Sequence, residues 1–507
     1  RVGDATMSRR WRWLGALALV ALAVAGVLLR PLPTPSGPVA DTGEPPPIVP
    51  ALAGVVLPPN IAAPGLRLTG ECRGWRITLS GGHGSLTAGS RGRDLRLSPR
   101  RWRRLLEAHR GEALTIEVMV DRGGWRRYTA TCSVAREPID RYLTYRLLTP
   151  VYNLVRDVGI YQRDLTDYDE RLIMHGRQVG GCVNCHTFSQ GSGELFTLGV
   201  RSDGWGGRTL LVEGGRVTPL KQPVGYGSWH PSGRLAMFSA NQVRQFFHAA
   251  GPETRDVFDL SSGLALFDVC KRTFSSTPAL SSPDYLYTYP CWSPDGTALY
   301  FSRARRTWPA GELIPPPGYD QVRYDLCRIA FDDEQRTWGR LETLRSGQQL
   351  GRSLVFPRVS PDGRWLLYTS CDYGCFPIHR PNSDLGQIDL RSGADVAVAV
   401  NSPRADTWHS FSRNSRWVVF ASKRADGLFT KLYLSYLDAD GRLQPPLLLP
   451  QRRADYYDTF WYSYNTPELT TSRIRVSVGQ MGRAARSADA QAAPLPPEVA
   501  PPVPSAR

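Results

Sequence analysis

The sequence predicts a mainly β protein: a β-propeller of six blades, with seven left open, preceded by a small β-sandwich-like domain. Three observations lead there. The 507 residues include 48 Gly and 41 Pro at 41% hydrophobic content, a turn-rich composition. From about residue 195 onward the pattern is strand–turn–strand without interruption. Four segments, SWHPSGRLAMFSAN, CWSPDGTALYFSRA, RVSPDGRWLLYTSC and SFSRNSRWVVFASK, share one template of a polar turn followed by an apolar strand. Pro231, Pro294, Pro361 and Arg413 hold equivalent places, spaced 63, 67 and 52 residues apart. A second strand pair follows each turn: LALFDVCKRTF, YDLCRIAFDDE, LGQIDLRSG and LYLSYLDADG. Two hairpins make one four-stranded blade, which buries its faces only by stacking on neighbours. The flanking units GRTLLVEGGRVTPL and DYYDTFWYSYN bring the count to six.

The elements follow in order. Residues 1–12 read as a cytoplasmic N-terminus, with Met7 as the initiator and Arg9, Arg10 and Arg12 ahead of an apolar run. That run, residues 13–30, reads as a transmembrane signal anchor; Ala23-Val24-Ala25 offers the alternative of a cleaved signal. Basic residues on the short side place everything after Pro31 outside the cytoplasm, at the outer face of the inner membrane. Residues 31–64 are a Pro-rich linker. Residues 65–136 form the small β-rich domain, with one helix marked by Ser98 as N-cap and Pro99 at the first helical position. Residues 137–194 are aromatic-rich, take helical spacing in their second half and lead into GGCVNCHTF. The propeller spans 195–479, and the Ala/Pro tail 480–507 is expected to be disordered.

The net charge of +16 comes almost entirely from Arg. A solvated basic surface accounts for it; anionic lipid or an acidic redox partner are the functional readings. The cluster Arg91, Arg93, Arg96, Arg100, Arg101, Arg103 and Arg104 does not indicate nucleic acid in an exported chain. Nine cysteines in such a chain are expected to be oxidised or ligated. Cys72 with Cys132, and Cys371 with Cys375, are the disulfide candidates; Cys270, Cys291 and Cys327 read as buried thiols.

The strongest chemical signal is CVNCH at residues 182–186. In this pattern two thiols add across the vinyl groups of a porphyrin, and the adjacent histidine ligates iron. Random placement of the cysteines and histidines of this chain would give roughly 0.003 such motifs. A structural zinc site needs a second ligand pair, and a thioredoxin-like pair needs a βαβ setting; neither is evident. One covalent haem c is therefore expected on Cys182 and Cys185, with His186 as the proximal ligand.

For the opposite side of the iron, Met174, His175, His230, His248, His409 and Met237 are the candidates. Met174 and His175 lie close to the motif in sequence, and Met237 reads as core. His230 and His409 each follow a tryptophan at a blade turn, which suits a structural role as well as a ligand role. His248, in the long insertion QVRQFFHAA, is the first choice, and an open iron site is the alternative.

Several stretches, among them IDRYLTYRLLTPVY, CVNCHTF, SWHPSGRLAMFSANQVRQFFH, FPRVSPDGRWLLYTSCDYGCFPI and SYNTPEL, resemble the TolB-like propeller proteins that carry a single CxxCH. The resemblance runs from about residue 57 to about residue 469. It implies a TolB-like six-bladed fold and haem attachment at Cys182, Cys185 and His186, and it places His230 and His248 among the matching positions. Relatives tend to carry a Met and a His shortly after the motif, where this chain reads ELFTLGVRS.

GxSxG, HExxH and P-loop patterns are absent, and no catalytic residue is assigned. The leading expectation is a membrane-anchored electron-transfer protein whose propeller docks a redox partner. The alternatives are an envelope interaction scaffold with a structural or sensing haem, and a haem enzyme with an open iron site.

Overall fold

The polar turns of the repeat are built by one hydrogen-bonding device. In the computed structural model, which describes residues 13–14, 32–35, 37–149, 155–249, 255–308 and 315–499, Ser293 donates to Asp295 (2.5 Å) and accepts from the Ala298 amide (2.9 Å). Ser360 does the same with Asp362 and the Trp365 amide, and Ser412 with Asn414 and the Trp417 amide. Each turn then needs a left-handed residue, supplied by Gly296 (φ 77°), Gly363 (φ 73°) and Ser415 (φ 59°).

These turns join the first and second strands of antiparallel four-stranded sheets, six of them. Blade 2 is Gly181–Phe188, Leu195–Ser202, Gly206–Glu213 and Arg216–Leu220; blade 3 is Gly227–Trp229, Leu235–Phe247, Arg255–Asp268 and Thr273–Ser275. Blade 4 is Tyr285–Trp292, Ala298–Arg305, Asp325–Asp332 and Thr337–Arg345; blade 5 is Ser353–Val359, Trp365–Cys371, Asp384–Asp389 and Asp395–Val396. Blade 6 is Asp406–Phe411, Trp417–Ser422, Lys431–Tyr436 and Leu447–Leu448. Blade 1 is composite: Tyr142–Leu148, Gly159–Asp164 and Glu170–His175 are joined on their inner side by Ser463–Thr470, from the other end of the chain. The first strands of blades 2 to 6 and the strand Ser463–Thr470 pack against one another in a closed ring around a central channel. The structure thus has six blades.

Blade 1 overturns the expectation of a helical segment over 137–194. Leu143, Tyr145 and Leu147 alternate inward at the period of two that marks a strand. Gly159–Asp164 pairs with this strand locally, but the inner strand that completes the blade lies some 300 residues away. Among the described residues the one α-helix there, Gly176–Val179, is a single turn capped by His175. The propeller therefore begins at Tyr142, ahead of residue 195.

The small domain pairs a six-stranded sheet with a three-stranded one over a shared core, as a sandwich does. Its helix, Pro99–Ala108, starts as expected, with Ser98 accepting from the Arg101 amide. The linker is shorter than predicted. Val39–Asp41 already pairs in parallel with Trp125–Val134, and Ile48, Leu52, Val55 and Leu57 are buried in the domain core. The junction after the domain docks on blade 6: Trp417 donates its indole N–H to Glu137 O (3.0 Å), and the Arg413 amide donates to Asp140 (2.8 Å).

The tail is ordered through residue 499 rather than disordered from 480. A capping box of Ser477 and Gln480 starts the helix Val478–Arg486, which buries Met481 and Ala485 against blades 1 and 2. Ala493, Leu495 and Val499 then cover the outer part of blades 2 and 3. These apolar positions, not the Ala/Pro composition, decide the outcome.

The expected transmembrane segment 13–30 lies almost wholly outside the described residues. Among the described residues no helix is long and apolar enough to cross a membrane. Neither candidate disulfide is formed. All nine cysteines are free thiols; Cys72 is half-buried and Cys132 buried, while Cys371 and Cys375 turn to different partners. Cys371 contacts Tyr373 O, and Cys375 donates to Asp259.

Candidate functional site in the propeller channel

The innermost strand of each blade runs along the channel, and in five blades it is broken by a residue in the left-handed region: Cys185 (φ 40°), Tyr289 (φ 54°), Phe356 (φ 58°), Trp408 (φ 45°) and Thr466 (φ 43°). The strand pairing slips at each of them, so each is a β-bulge. Bulky residues rarely adopt such φ values. Each stands four residues before the turn residue of its blade (Ser189, Ser293, Ser360, Ser412) or, in blade 1, before Thr470. Tyr226 takes the same place in blade 3, four residues before His230.

The effect is an aromatic floor across the channel. Tyr226 packs at a tilt against Tyr289 with centroids 4.4 Å apart and stacks on Trp408 at 5.6 Å, and Phe356 meets Trp408 edge-on at 4.7 Å. The Tyr289 hydroxyl donates to Cys375 O (2.5 Å). A cavity lies on each side of the floor, of about 170 Å³ towards the turns and about 210 Å³ towards the opposite mouth.

The CxxCH motif lies on Gly181–Phe188, the inner strand of blade 2, and threads this floor. Cys182 faces the larger cavity, where Arg146 donates to its sulfur (3.4 Å) and Arg201 stands alongside. Cys185 touches both cavities, and enclosure pushes its thiol up to about 11. A thiol so raised is not the reactive thiolate of a dithiol redox pair. His186 opens into the smaller cavity. Burial, helped by Arg146, holds it down to about 3, so its ring is neutral. Neither of its ring nitrogens makes a well-formed hydrogen bond; the Thr466 backbone offers only a weak one. Glu468 lines the same cavity, accepts from the Phe188 amide (3.0 Å) and is pushed up to about 7 by burial.

The favoured candidates for the far side of the iron are elsewhere. His248 stands beyond the hairpin strand Leu235–Phe247, 3.5 Å from Asp256, and lines neither cavity. His230 does in blade 3 what serine does in blades 4 to 6. Its Nδ1 pairs with Ser232 (2.8 Å) and its Nε2 with Gly296 O (3.3 Å), which makes it a turn residue. Met174, on the outer strand of blade 1, is fully buried among Ile160, Val179 and Met481. His175 caps a helix turn, and Met237 is core. His409 is the candidate that shares a cavity with His186. Sequence reasoning missed Arg146, Glu468 and the floor residues; the constant spacing of four to the turn is the signal that finds the floor.

No protein-family model matches the chain, and no curated protein matches it. Solved structures similar to it include TolB from Acinetobacter baumannii, at 15% identity over 70% of this chain and 79% of that one, with a TM-score of 0.41. A hypothetical selenium-binding protein from Sulfolobus tokodaii is 8% identical over 68% of this chain and 96% of that one, with a TM-score of 0.42. The β-propeller domain of the trilobed protease from Pyrococcus furiosus is 11% identical over 66% and 83%, with a TM-score of 0.32. The propeller itself stands on the sheet order and the closed ring of inner strands.

The donor set fits a haem c: two thiols three residues apart and a neutral, buried imidazole without a well-formed hydrogen bond. Among the described residues no three His, Cys, Asp or Glu side chains gather as a metal site, so a bare metal ion lacks a cage. The space is tight. Either cavity alone falls below the roughly 300 Å³ at which drug-sized pockets begin, so a macrocycle needs the aromatic floor to give way.

Proposed function

We propose that this chain is an exported, membrane-anchored monohaem c-type cytochrome, with haem held by Cys182 and Cys185 and its iron ligated by His186. The observation that carries the reading is His186 itself, an enclosed imidazole next to a thiol pair whose ring nitrogens make no well-formed hydrogen bond. A buried polar group left without a partner costs about 1–3 kcal/mol, and a ligand that occupies it removes that cost. Bound haem would supply one-electron chemistry. The chain's own residues do the rest: the propeller wall excludes water, Arg146 and Arg201 bring positive charge suited to carboxylate substituents, and Glu468 holds the strand carrying His186 through the Phe188 amide. The remaining surface of the blades is available to a redox partner.

The test is a pyridine haemochrome spectrum of the full chain made with c-type attachment machinery, beside a Cys182→Ala variant. The expected result is a c-type band in the native protein that is shifted or lost in the variant. Native protein whose colour is wholly extracted by acid–acetone would refute covalent attachment.

A second reading, an envelope interaction scaffold, is favoured by the bulge repeat. Cys185-His186 occupies a place that Tyr289-Pro290, Phe356-Pro357 and Thr466-Pro467 fill for packing in blades 4, 5 and 1. A colourless native protein that still binds an envelope partner tightly would favour it.

A further inference from the structure

The bulge repeat places one residue directly after each left-handed position, and in blades 1, 2, 3 and 6 that residue lines the smaller cavity. In blades 1, 4 and 5 that residue is Pro467, Pro290 and Pro357, and in blade 3, after Tyr226, it is Gly227. In blades 2 and 6 alone it is a histidine, His186 and His409. These two blades flank blade 1, so the two imidazoles come from inner strands on either side of Ser463–Thr470 and line the same cavity of about 170 Å³. His409 is fully buried, and its ring meets Phe356 edge-on at 5.4 Å. Like His186, it makes no well-formed hydrogen bond at Nδ1 or Nε2; the Leu367 backbone offers only a weak one. Burial, with Arg358 nearby, keeps it neutral.

Two buried imidazoles that line one small cavity without a well-formed hydrogen bond carry a cost in a folded interior, where nearly all buried polar atoms are satisfied. Packing alone does not call for histidine there, since proline or glycine fills the equivalent place in the other four blades. Neutral imidazoles with free nitrogens are what a transition metal takes as ligands.

We propose that His409 is the second axial ligand of the haem iron, opposite His186. This rests on the haem reading above. It displaces His248, His230 and Met174, whose polar or packing partners are already satisfied. The iron is then six-coordinate and low-spin with two imidazoles, the arrangement of an electron carrier rather than of a site open to small ligands.

The test uses the full chain produced with attachment machinery. The pyridine haemochrome is read first; pyridine replaces the axial ligands, so it reports covalent haem whatever lies opposite His186. Optical and low-temperature paramagnetic resonance spectra are then read for the native protein, His409→Ala, His409→Met and His248→Ala. The expected native signal is low-spin bis-imidazole, unchanged by added imidazole or carbon monoxide. His409→Ala is expected to keep its haem content, turn high-spin and bind added imidazole, while His409→Met raises the reduction potential. His248→Ala is expected to match the native protein. A native haem that is already five-coordinate overturns the proposal without any variant being folded, and so does an unchanged low-spin spectrum in His409→Ala. Absence of a c-type band in the native protein sinks the haem reading itself, a distinct result.

Discussion

Blades 2 and 4 carry the same kink in the same strand and put it to different uses. In blade 4 the kinked residue is Tyr289, buried and packed against Tyr226, Phe356 and Trp408, with its hydroxyl satisfied by Cys375 O. In blade 2 it is Cys185, followed by an imidazole that makes no well-formed hydrogen bond. The backbone device is common to both. What differs is whether the side chains placed there are complete within the protein, and the incomplete ones mark where a ligand is to be sought.

Removing the packing member tests the comparison most severely. Tyr289→Ala is expected to cost about 3–5 kcal/mol, read as a lowered urea midpoint, because a large buried ring is lost from the floor. The cluster behind it supplies the next effect. Asp259, buried beside Asn241 and Cys375, is pushed by burial up to about 7. Its folded pKa lies above its unfolded one, so the native state holds the proton longer. This group's contribution falls as pH rises from about 4 to about 7 and is flat above. The buried histidines slope the other way, so the informative quantity is the difference between native protein and Asp259→Asn. That difference is expected to change by up to about 4 kcal/mol across the window and to be constant outside it. Ser477→Ala, which breaks the capping box of the tail helix, is expected to cost about 1 kcal/mol and to raise amide exchange over Val478–Arg486. Cys185→Ala closes the series. It is expected to change stability by about 1 kcal/mol or less, yet to alter the haemochrome band, the reverse of Tyr289→Ala.

What the sequence shows of this fold follows from how local each signal is. The S-P-D-G turns were readable because Ser293, Asp295 and Gly296 make their bonds within six residues. Ser98 and Pro99 announced a helix for the same reason. Blade 1 was hidden because the inner strand that completes its sheet, Ser463–Thr470, comes from the far end of the chain. The tail was misjudged because Met481, Leu495 and Val499 are too widely spaced to form a pattern until blades 1 to 3 lie beneath them. At the site, CVNCH was plain, but its setting was not. A left-handed φ at tyrosine, phenylalanine or tryptophan leaves no trace in composition, and only the fixed offset from each turn reveals it. His409 was in view, and ranked below His248 because a loop seemed freer to reach the iron than a strand. His248 proves to be occupied by Asp256.

The composite blade sets an order of events in time. The strand bearing Cys182, Cys185 and His186 is synthesised nearly 280 residues before Ser463–Thr470, the piece that shuts the ring. Until that last strand docks, the two sulfurs stand on an open arc; afterwards Cys185 lies inside the channel. On the haem reading proposed above, attachment and closure are rivals for the same interval, and slowing the second should favour the first.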